Sequence, residues 1–169
     1  MLYIYNIYKG VTMLIGNTCC FFGHRTIDET EQLKMRLRDC IEKMITELNI
    51  DTFLFGSKSR FNDLCVETVT ALKEKYPHIQ RIYVRAEFPC IDDDYKNYLS
   101  EWYDDTYYPE NIIGAGKSVY VQRNCEMIRQ SRFCVVYFDE KHLPDNRKSG
   151  TKIAYDYAVK QGKHIIQLP

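Results

Sequence analysis

Short apolar runs alternate with longer segments of helical periodicity, and this alternation constrains the fold most strongly. The apolar runs are Thr18–Phe22 (TCCFF), Thr52–Phe55 (TFLF), Gln80–Val84 (QRIYV), Phe133–Phe138 (FCVVYF) and His164–Leu168 (HIIQL). Strands without polar alternation are typical of a parallel sheet that is covered on both faces. The sequence therefore predicts an α/β fold, a Rossmann-like three-layer sandwich with a mainly parallel sheet of about five strands and helices on both faces.

Apolar residues at three- and four-residue steps predict the helices between these strands. In the first helix the series runs from Leu33 to Leu48, and Thr26 or Asp28 is expected to cap its start. The other expected helices are Phe61–Lys75, a short one near residues 93–103, Ser118–Gln130 and Ser149–Gln161. The short helix falls in a long connection, residues 86–117, and Asp139–Lys148 is expected to be a polar loop.

The length of 169 residues fits a single domain over the whole chain. Residues 1–16 are either an extension or an extra strand, since Met13 offers a second plausible start. This amino end is apolar but too short to span a bilayer, and it has no basic leader or signal-peptide core. The sequence therefore predicts a cytoplasmic protein with no membrane partner.

The charge and cysteine content narrow the possible partners. Lys plus Arg number 23 and Asp plus Glu number 23, so the formal net charge is zero. This argues against a protein whose main function is to bind the nucleic-acid backbone, because such proteins usually carry excess positive charge. Near-zero net charge permits self-association, and a homodimer is an open alternative. The seven cysteines include no C-x-x-C pair, which favours buried, reduced thiols over a metal site.

Four loops at the carboxyl ends of the strands carry the candidate binding residues, because ligands of open α/β sheets bind at that edge. The first is Gly23-His24-Arg25, where the glycine permits a tight turn and the arginine offers a planar fork for phosphate or carboxylate. The second is Gly56-Ser57-Lys58-Ser59, before a helix whose first N–H groups favour an anion. A turn glycine followed by surface side chains is the plain alternative for both.

The third candidate is Arg123-Asn124, on the helix that precedes the most apolar strand. Arg123 points either to an anionic ligand or into a surface ion pair. The fourth is Ser149-Gly150-Thr151, which opens the last helix with small residues. There Gly150 allows a ligand to approach the backbone closely.

Acidic and aromatic residues supply the remaining candidates. Asp63 and Glu67 follow the second loop. Asp63 either caps the helix or binds a ribose hydroxyl, and Glu67, one turn later, faces either the pocket or solvent. The run Asp92-Asp93-Asp94 is more typical of a solvated loop than of a cation site. Trp102 and the tyrosines around it either stack on a base or pack the long connection over the sheet.

Four segments in order resemble the SLOG superfamily, which includes the cytokinin-activating LOG enzymes and the DNA-processing Smf/DprA proteins. They are CCFFGHR, GSKSRFNDLCVE, RNCEMIRQSRFCVVYFDE and SGTKIAYDYAVKQGKHIIQL, and the resemblance covers about residues 17–168. The most similar branch is the small YpsA-like proteins of bacteria and phages. The resemblance implies a Rossmann-like domain that binds a nucleotide or nucleotide-derived ligand through the four loops, with Asp63 and Glu67 at acidic positions beside them.

The sequence departs from that family at two places. Many relatives have a glycine where this chain has Phe61. The P-G-G-x-G-T-x-x-E motif of the LOG phosphoribohydrolases is reduced to Ser149-Gly150-Thr151, and Ala154 stands where the final glutamate would be. The second departure argues against LOG-type hydrolysis.

Three functions follow as hypotheses, in this order. The first is binding or sensing of a nucleotide-like small molecule, with no cofactor identified. The second is cleavage or transfer at an N-glycosidic bond of a nucleotide, with Glu67 or Asp63 as the catalytic carboxylate. The third is a nucleic-acid-binding accessory role, which requires one face to carry Arg25, Lys58, Arg60, Arg123 and Lys148.

Overall fold

All six strands of the central sheet run parallel. The computed structural model describes residues 7–8, 11–12, 16–138 and 149–168. The strands of the sheet are β3 (Thr18–Gly23), β4 (Thr52–Phe55), β5 (Gln80–Val84), β6 (Asp105–Tyr107), β7 (Phe133–Tyr137) and β8 (His164–Leu168). Two earlier strands, β1 (Ile7–Tyr8) and β2 (Val11–Thr12), pair with each other antiparallel and form a separate sheet.

The order of the strands places a switch point beside β3. The sheet has the order β6-β5-β4-β3-β7-β8, so the chain winds outward from β3 through three strands and then returns to its other side. The register sets Cys20 opposite Cys134 and Gly23 opposite Tyr137. Between β3 and β7 the flanking connections diverge, which leaves a crevice at the carboxyl ends of these strands.

Five helices cover the two faces of the sheet, as the apolar strands predict. They are α1 (Glu31–Leu48), α2 (Arg60–Lys75), α3 (Asp93–Ser100), α4 (Val119–Gln130) and α5 (Gly150–Lys160). The buried residues of α1, α2 and α3 share one apolar cluster, and those of α4 and α5 share a second. Cys19 belongs to the first cluster and Cys20 to the second, so adjacent residues of β3 face opposite layers.

The Rossmann-like α/β fold is confirmed, and three details differ from the sequence-based expectation. The sheet has six strands instead of about five, because Asp105–Tyr107 pairs with β5. Thr30 caps α1, with its side chain accepting from the N–H of Leu33, so the expectation of Thr26 or Asp28 is wrong. The helix expected near 93–103 ends at Ser100. The polar loop expected at Asp139–Lys148 lies outside the described residues.

Among the helices that the structure describes, none is both long enough and apolar enough to cross a membrane.

Burial predicts a sharp ranking of cysteine reactivity. Cys90 is exposed, Cys40 and Cys125 are half-buried, and the other four cysteines are buried. Burial raises the pKa of the Cys19 and Cys65 thiols, which suppresses the reactive thiolate. When the native protein is treated with an aromatic disulfide reagent, the reaction of Cys90 is expected to release one equivalent of the aromatic thiol rapidly. The four buried thiols are expected to react only after unfolding. Rapid release of four or more equivalents from the native protein would contradict this packing.

Candidate functional site

A cavity of about 1040 Å³ lies at the switch point, beyond the carboxyl ends of β3 and β7. We call it the switch-point cavity. The predicted binding residues that line it are Gly23, His24, Arg25, Ser57, Arg123, Asn124, Ser149, Gly150 and Thr151. Residues from three separate loops and from α4 therefore meet around one space, as expected for an open α/β sheet.

Arg123 is the most unusual side chain of this cavity. It is only 2% exposed. Its Nη1 donates to the carbonyl oxygen of Val84 at 3.0 Å, and its Nε donates to Asn124 Oδ1 at 2.9 Å. Among the described residues no carboxylate forms an ion pair with it, and burial lowers the pKa of its guanidinium. The charge of Glu87 acts in the opposite direction without outweighing burial. A buried charge with no directly bonded counter-ion is costly, so the site is suited to an incoming anion.

Gly56 is the one predicted binding residue that does not line the cavity; it lies behind Arg123. A β-carbon at Gly56 would sit 2.5 Å from Arg123 Nη1 and 2.8 Å from the carbonyl oxygen of Val84. The glycine therefore makes room for the guanidinium against the end of β5. Asn124 plays a related part, since its Oδ1 fixes the orientation of Arg123.

The amino end of α5 forms another wall of the switch-point cavity. Ser149 caps the helix, with its hydroxyl accepting from the N–H of Lys152 at 3.0 Å. A β-carbon at Gly150 would meet no atom within 4 Å, so the backbone there faces open space. Free N–H groups at a helix start attract an anion through their partial positive charge.

The loop after β3 supplies the third wall. Gly23 lies under the ring of Phe61, and a β-carbon at Gly23 would come within 2.5 Å of Phe61 Cδ1. His24 packs against Tyr137 and Phe138, with ring centroids 6.1 and 5.7 Å apart. Arg25 is exposed, and its carbonyl oxygen accepts from the N–H of Arg60, which ties the loop to the start of α2.

A second cavity of about 960 Å³ adjoins the first along Arg25, Ser57, Lys58 and Ser59. We call it the aromatic chamber. Its walls come from α2 on one side and from α3 and the residues after it on the other. The aromatic residues that line it are Tyr83, Tyr95, Tyr98, Trp102 and Tyr103.

The two predicted catalytic carboxylates lie in the aromatic chamber and not in the switch-point cavity. Glu67 forms an ion pair with Arg60 at 2.8 Å, and Arg60 also binds Glu29 at 2.6 Å. The Asp63 carboxylate has no hydrogen-bond or ion-pair partner among the described residues, while the Asp63 backbone N–H donates to the carbonyl oxygen of Ser59. Burial is the main cause that raises the pKa of the Asp63 carboxyl group. Of the two, Asp63 is the carboxylate left available to a ligand.

The basic residues of the nucleic-acid hypothesis do not form an open basic face. Arg60 is paired with two glutamates, Lys58 lies 3.1 Å from Glu87, and Arg123 is buried. Arg25 and Lys58 are the exposed members of the set in the described part of the chain, and Lys148 lies outside the described residues.

The remaining candidates have structural contacts. Asp92 caps α3, with its side chain accepting from the N–H of Tyr95. No group of three or more His, Cys, Asp or Glu side chains with metal-binding geometry occurs within residues 16–138 and 149–168. The described site thus consists of cations, backbone N–H groups, two acidic side chains and aromatic rings.

Some lining residues lie outside the candidates drawn from the sequence, Tyr120 in the switch-point cavity and Asn62 in the aromatic chamber among them. Lys58, from the second predicted loop, lines both cavities. Asn62 is 2% exposed, and its Oδ1 has no hydrogen-bond partner among the described residues. Its place in the first turn of α2, next to Asp63, was the signal that could have marked it.

No family model matches the chain, and no curated protein matches it. Among solved structures the chain is similar to S. aureus TarJ in complex with NADPH, with a TM-score of 0.44 at 13% sequence identity. The similarity covers 83% of this chain and 46% of the TarJ chain, so the chain spans about half the length of TarJ.

Proposed function

We propose that this protein binds a nucleotide or a nucleotide-derived ligand, with the phosphate group in the switch-point cavity. The observation that carries the proposal is Arg123, a buried guanidinium that has no carboxylate partner among the described residues. Arginine matches phosphate through a planar fork of donors. A phosphate beside it would supply a directly bonded negative charge.

Two further features of the cavity support a phosphate as the anion. Ser149, Gly150 and Thr151, at the start of α5, line the same cavity as Arg123. Arg25 lies at its mouth, exposed to solvent, where it can meet a ligand before the buried site does. A helix start joined to two arginines is a typical arrangement for a phosphate ester.

The family resemblance gives independent support, and we propose that the chain is a YpsA-like member of the SLOG superfamily. Its four motif segments supply the loops that surround the switch-point cavity, apart from Gly56 behind Arg123. The proposal includes a bacterial or phage origin, a cytoplasmic location and a possible homodimer.

An N-glycosidic-bond hydrolase or transferase is the second candidate, and Asp63 is the observation that favours it. A carboxylate without a partner beside a nucleotide site has the chemistry to stabilise or attack the sugar carbon. Because Glu67 is held by Arg60, this role falls to Asp63. The candidate requires release of free base from a bound nucleotide, and Asp63→Asn is expected to abolish that release while binding persists.

Titration calorimetry with inorganic pyrophosphate and with ribose 5-phosphate tests the proposed function. Arg123→Met is expected to weaken both ligands at least ten-fold, about 1.4 kcal/mol, because a hydrogen-bonded charge partner is lost. The matched control is Arg36→Met, the same change at an exposed position of α1. Equal affinities in Arg123→Met and Arg36→Met would reject Arg123 as the phosphate contact, and no binding of either ligand to the native protein would reject the function.

A further inference from the structure

The aromatic chamber contains a buried acceptor that the fold leaves without a donor. Asn62 lies in the first turn of α2, and its backbone N–H donates to Ser59 Oγ at 3.1 Å as part of the helix cap. Its side-chain Oδ1 is buried and has no partner among the described residues. An unpaired buried acceptor costs about 1–3 kcal/mol, so such a group calls for an explanation beyond packing.

The opposite wall of the chamber is aromatic and remains partly open to solvent. Tyr98 is 58% exposed and Trp102 is 45% exposed, although both line a cavity. The rings of Tyr95 and Tyr98 stack on each other with centroids 6.1 Å apart. Exposed flat rings that line a concave surface are suited to stacking on another flat ring.

The location of the chamber connects it to the proposed phosphate site. The two cavities share Arg25, Ser57, Lys58 and Ser59 as a common wall. Lys58 stands at this wall, and its ion pair with Glu87 lowers the pKa of that carboxyl group against the opposing effect of burial. One ligand can therefore place an anionic group near Arg123 and a ring among the tyrosines.

We infer that the aromatic chamber holds the nucleobase of the ligand, stacked on the side chains of α3, with Asn62 Oδ1 accepting a hydrogen bond from a ring N–H or amino group. This inference rests on the proposed function and names the chemical class that the site selects. The ligand is a nucleoside phosphate whose base presents a donor, and the chamber discriminates it from a bare sugar phosphate.

Trp102 is the single tryptophan of the chain and reports on the chamber directly. The intact protein is titrated with the four nucleoside 5′-monophosphates and with ribose 5-phosphate, and tryptophan emission and heat are both recorded. At least one monophosphate is expected to change the emission saturably and to bind ten-fold or more tightly than ribose 5-phosphate. Ribose 5-phosphate is expected to give heat while leaving the emission unchanged.

Two variants separate the base contact from the phosphate contact. Asn62→Leu is expected to weaken that monophosphate at least ten-fold and to leave ribose 5-phosphate unaffected, whereas the matched control Asn97→Leu, at an exposed position of α3, changes neither. The melting temperature of ligand-free Asn62→Leu should not fall below that of the native protein, because the substitution removes an unpaired polar atom. Tyr98→Ala tests the other wall, with an expected loss of at least five-fold.

The outcomes distinguish this inference from the proposed function. Ribose 5-phosphate binding as tightly as every monophosphate, with no change in Trp102 emission at saturation, would overturn the base-binding role alone. Unchanged monophosphate affinity in both Asn62→Leu and Tyr98→Ala would do the same. Absence of heat with every one of these compounds at millimolar concentration would overturn both proposals.

Discussion

Phe61→Ala is expected to lower the free energy of unfolding by about 3–5 kcal/mol, the typical cost of removing a fully buried phenyl ring. Phe61 is 0% exposed and joins the start of α2 to the end of β3. Its ring lies 5.6 Å from the ring of Tyr137, centroid to centroid, and covers Gly23. Urea unfolding followed by far-ultraviolet circular dichroism measures the loss as a lower midpoint.

Gly23→Ala tests the same contact from the other side. A new β-carbon would come within 2.5, 2.7 and 2.8 Å of Phe61 Cδ1, Cγ and Cβ, so we expect a loss of about 1–3 kcal/mol from overpacking. In the Phe61→Ala background two of these atoms are absent, and the cost should shrink by at least about 0.5 kcal/mol. Gly150→Ala is the matched control, because its β-carbon would meet nothing within 4 Å. Equal losses for Gly23→Ala and Gly150→Ala would contradict the contact.

Asp104→Asn is expected to remove about 1 kcal/mol of stability at neutral pH, since solvent screens the ion pair at this partly exposed position, together with part of its pH dependence. Asp104 Oδ1 accepts from Arg81 Nη2 at 3.0 Å, and Oδ2 accepts from the Arg81 N–H at 2.8 Å and from Lys73 Nζ at 3.1 Å. Burial alone would raise the pKa of this carboxyl group, but these donors outweigh burial and lower the pKa to about 2.

The sign of the pH effect follows from that lowered pKa. The carboxyl group titrates near 3.8 in the unfolded chain and near 2 in the folded protein, so its stabilisation is complete above about pH 4 and is lost as the pH falls toward 2. The free-energy difference between the native protein and Asp104→Asn should therefore be largest at pH 7 and shrink between pH 4 and 2. Asp94→Asn, at an exposed position of α3, is the control. A difference independent of pH would show that the ion pair contributes little.

The sequence predicts the layers of the fold well because a strand that is buried on both faces is apolar at consecutive positions. Each of the five apolar runs forms a strand, and β8 has the predicted bounds. β6 has no such apolar run. It consists of three residues, Asp105 to Tyr107, which pair with β5 at the edge of the sheet. Its conformation depends on tertiary pairing, and a charged first residue in a Tyr- and Asp-rich stretch does not indicate a strand.

The candidate binding residues could be found from the sequence, but the part that each one plays could not. Topology alone brings the loops after β3 and β7 together, which is why residues from distant segments meet at one cavity. Whether a side chain is buried or paired depends on neighbours that are remote in sequence. The burial of Arg123 beside Val84 and the position of Gly56 behind it are examples.

The roles of the two acidic candidates also depend on contacts that are remote in sequence. Glu67 and Asp63 are one helical turn apart and cannot be ranked by spacing. Arg60 contacts Glu67 from within α2 and Glu29 from the segment before α1, and these contacts leave Asp63 as the carboxylate without a partner. The pairing with Glu29 spans 31 positions, so no local pattern could reveal it.

The wall that carries Tyr98 and Trp102 is part of the crossover between β5 and β6, and this crossover is fastened at each end to the sheet. The N–H of Arg85 donates to the carbonyl oxygen of Tyr107, and the N–H of Asp104 donates to that of Arg81, both at 2.8 Å. Lengthening a connection with fixed ends costs little free energy. The stretch between these two ties can therefore change in length and sequence while β5 and β6 stay paired.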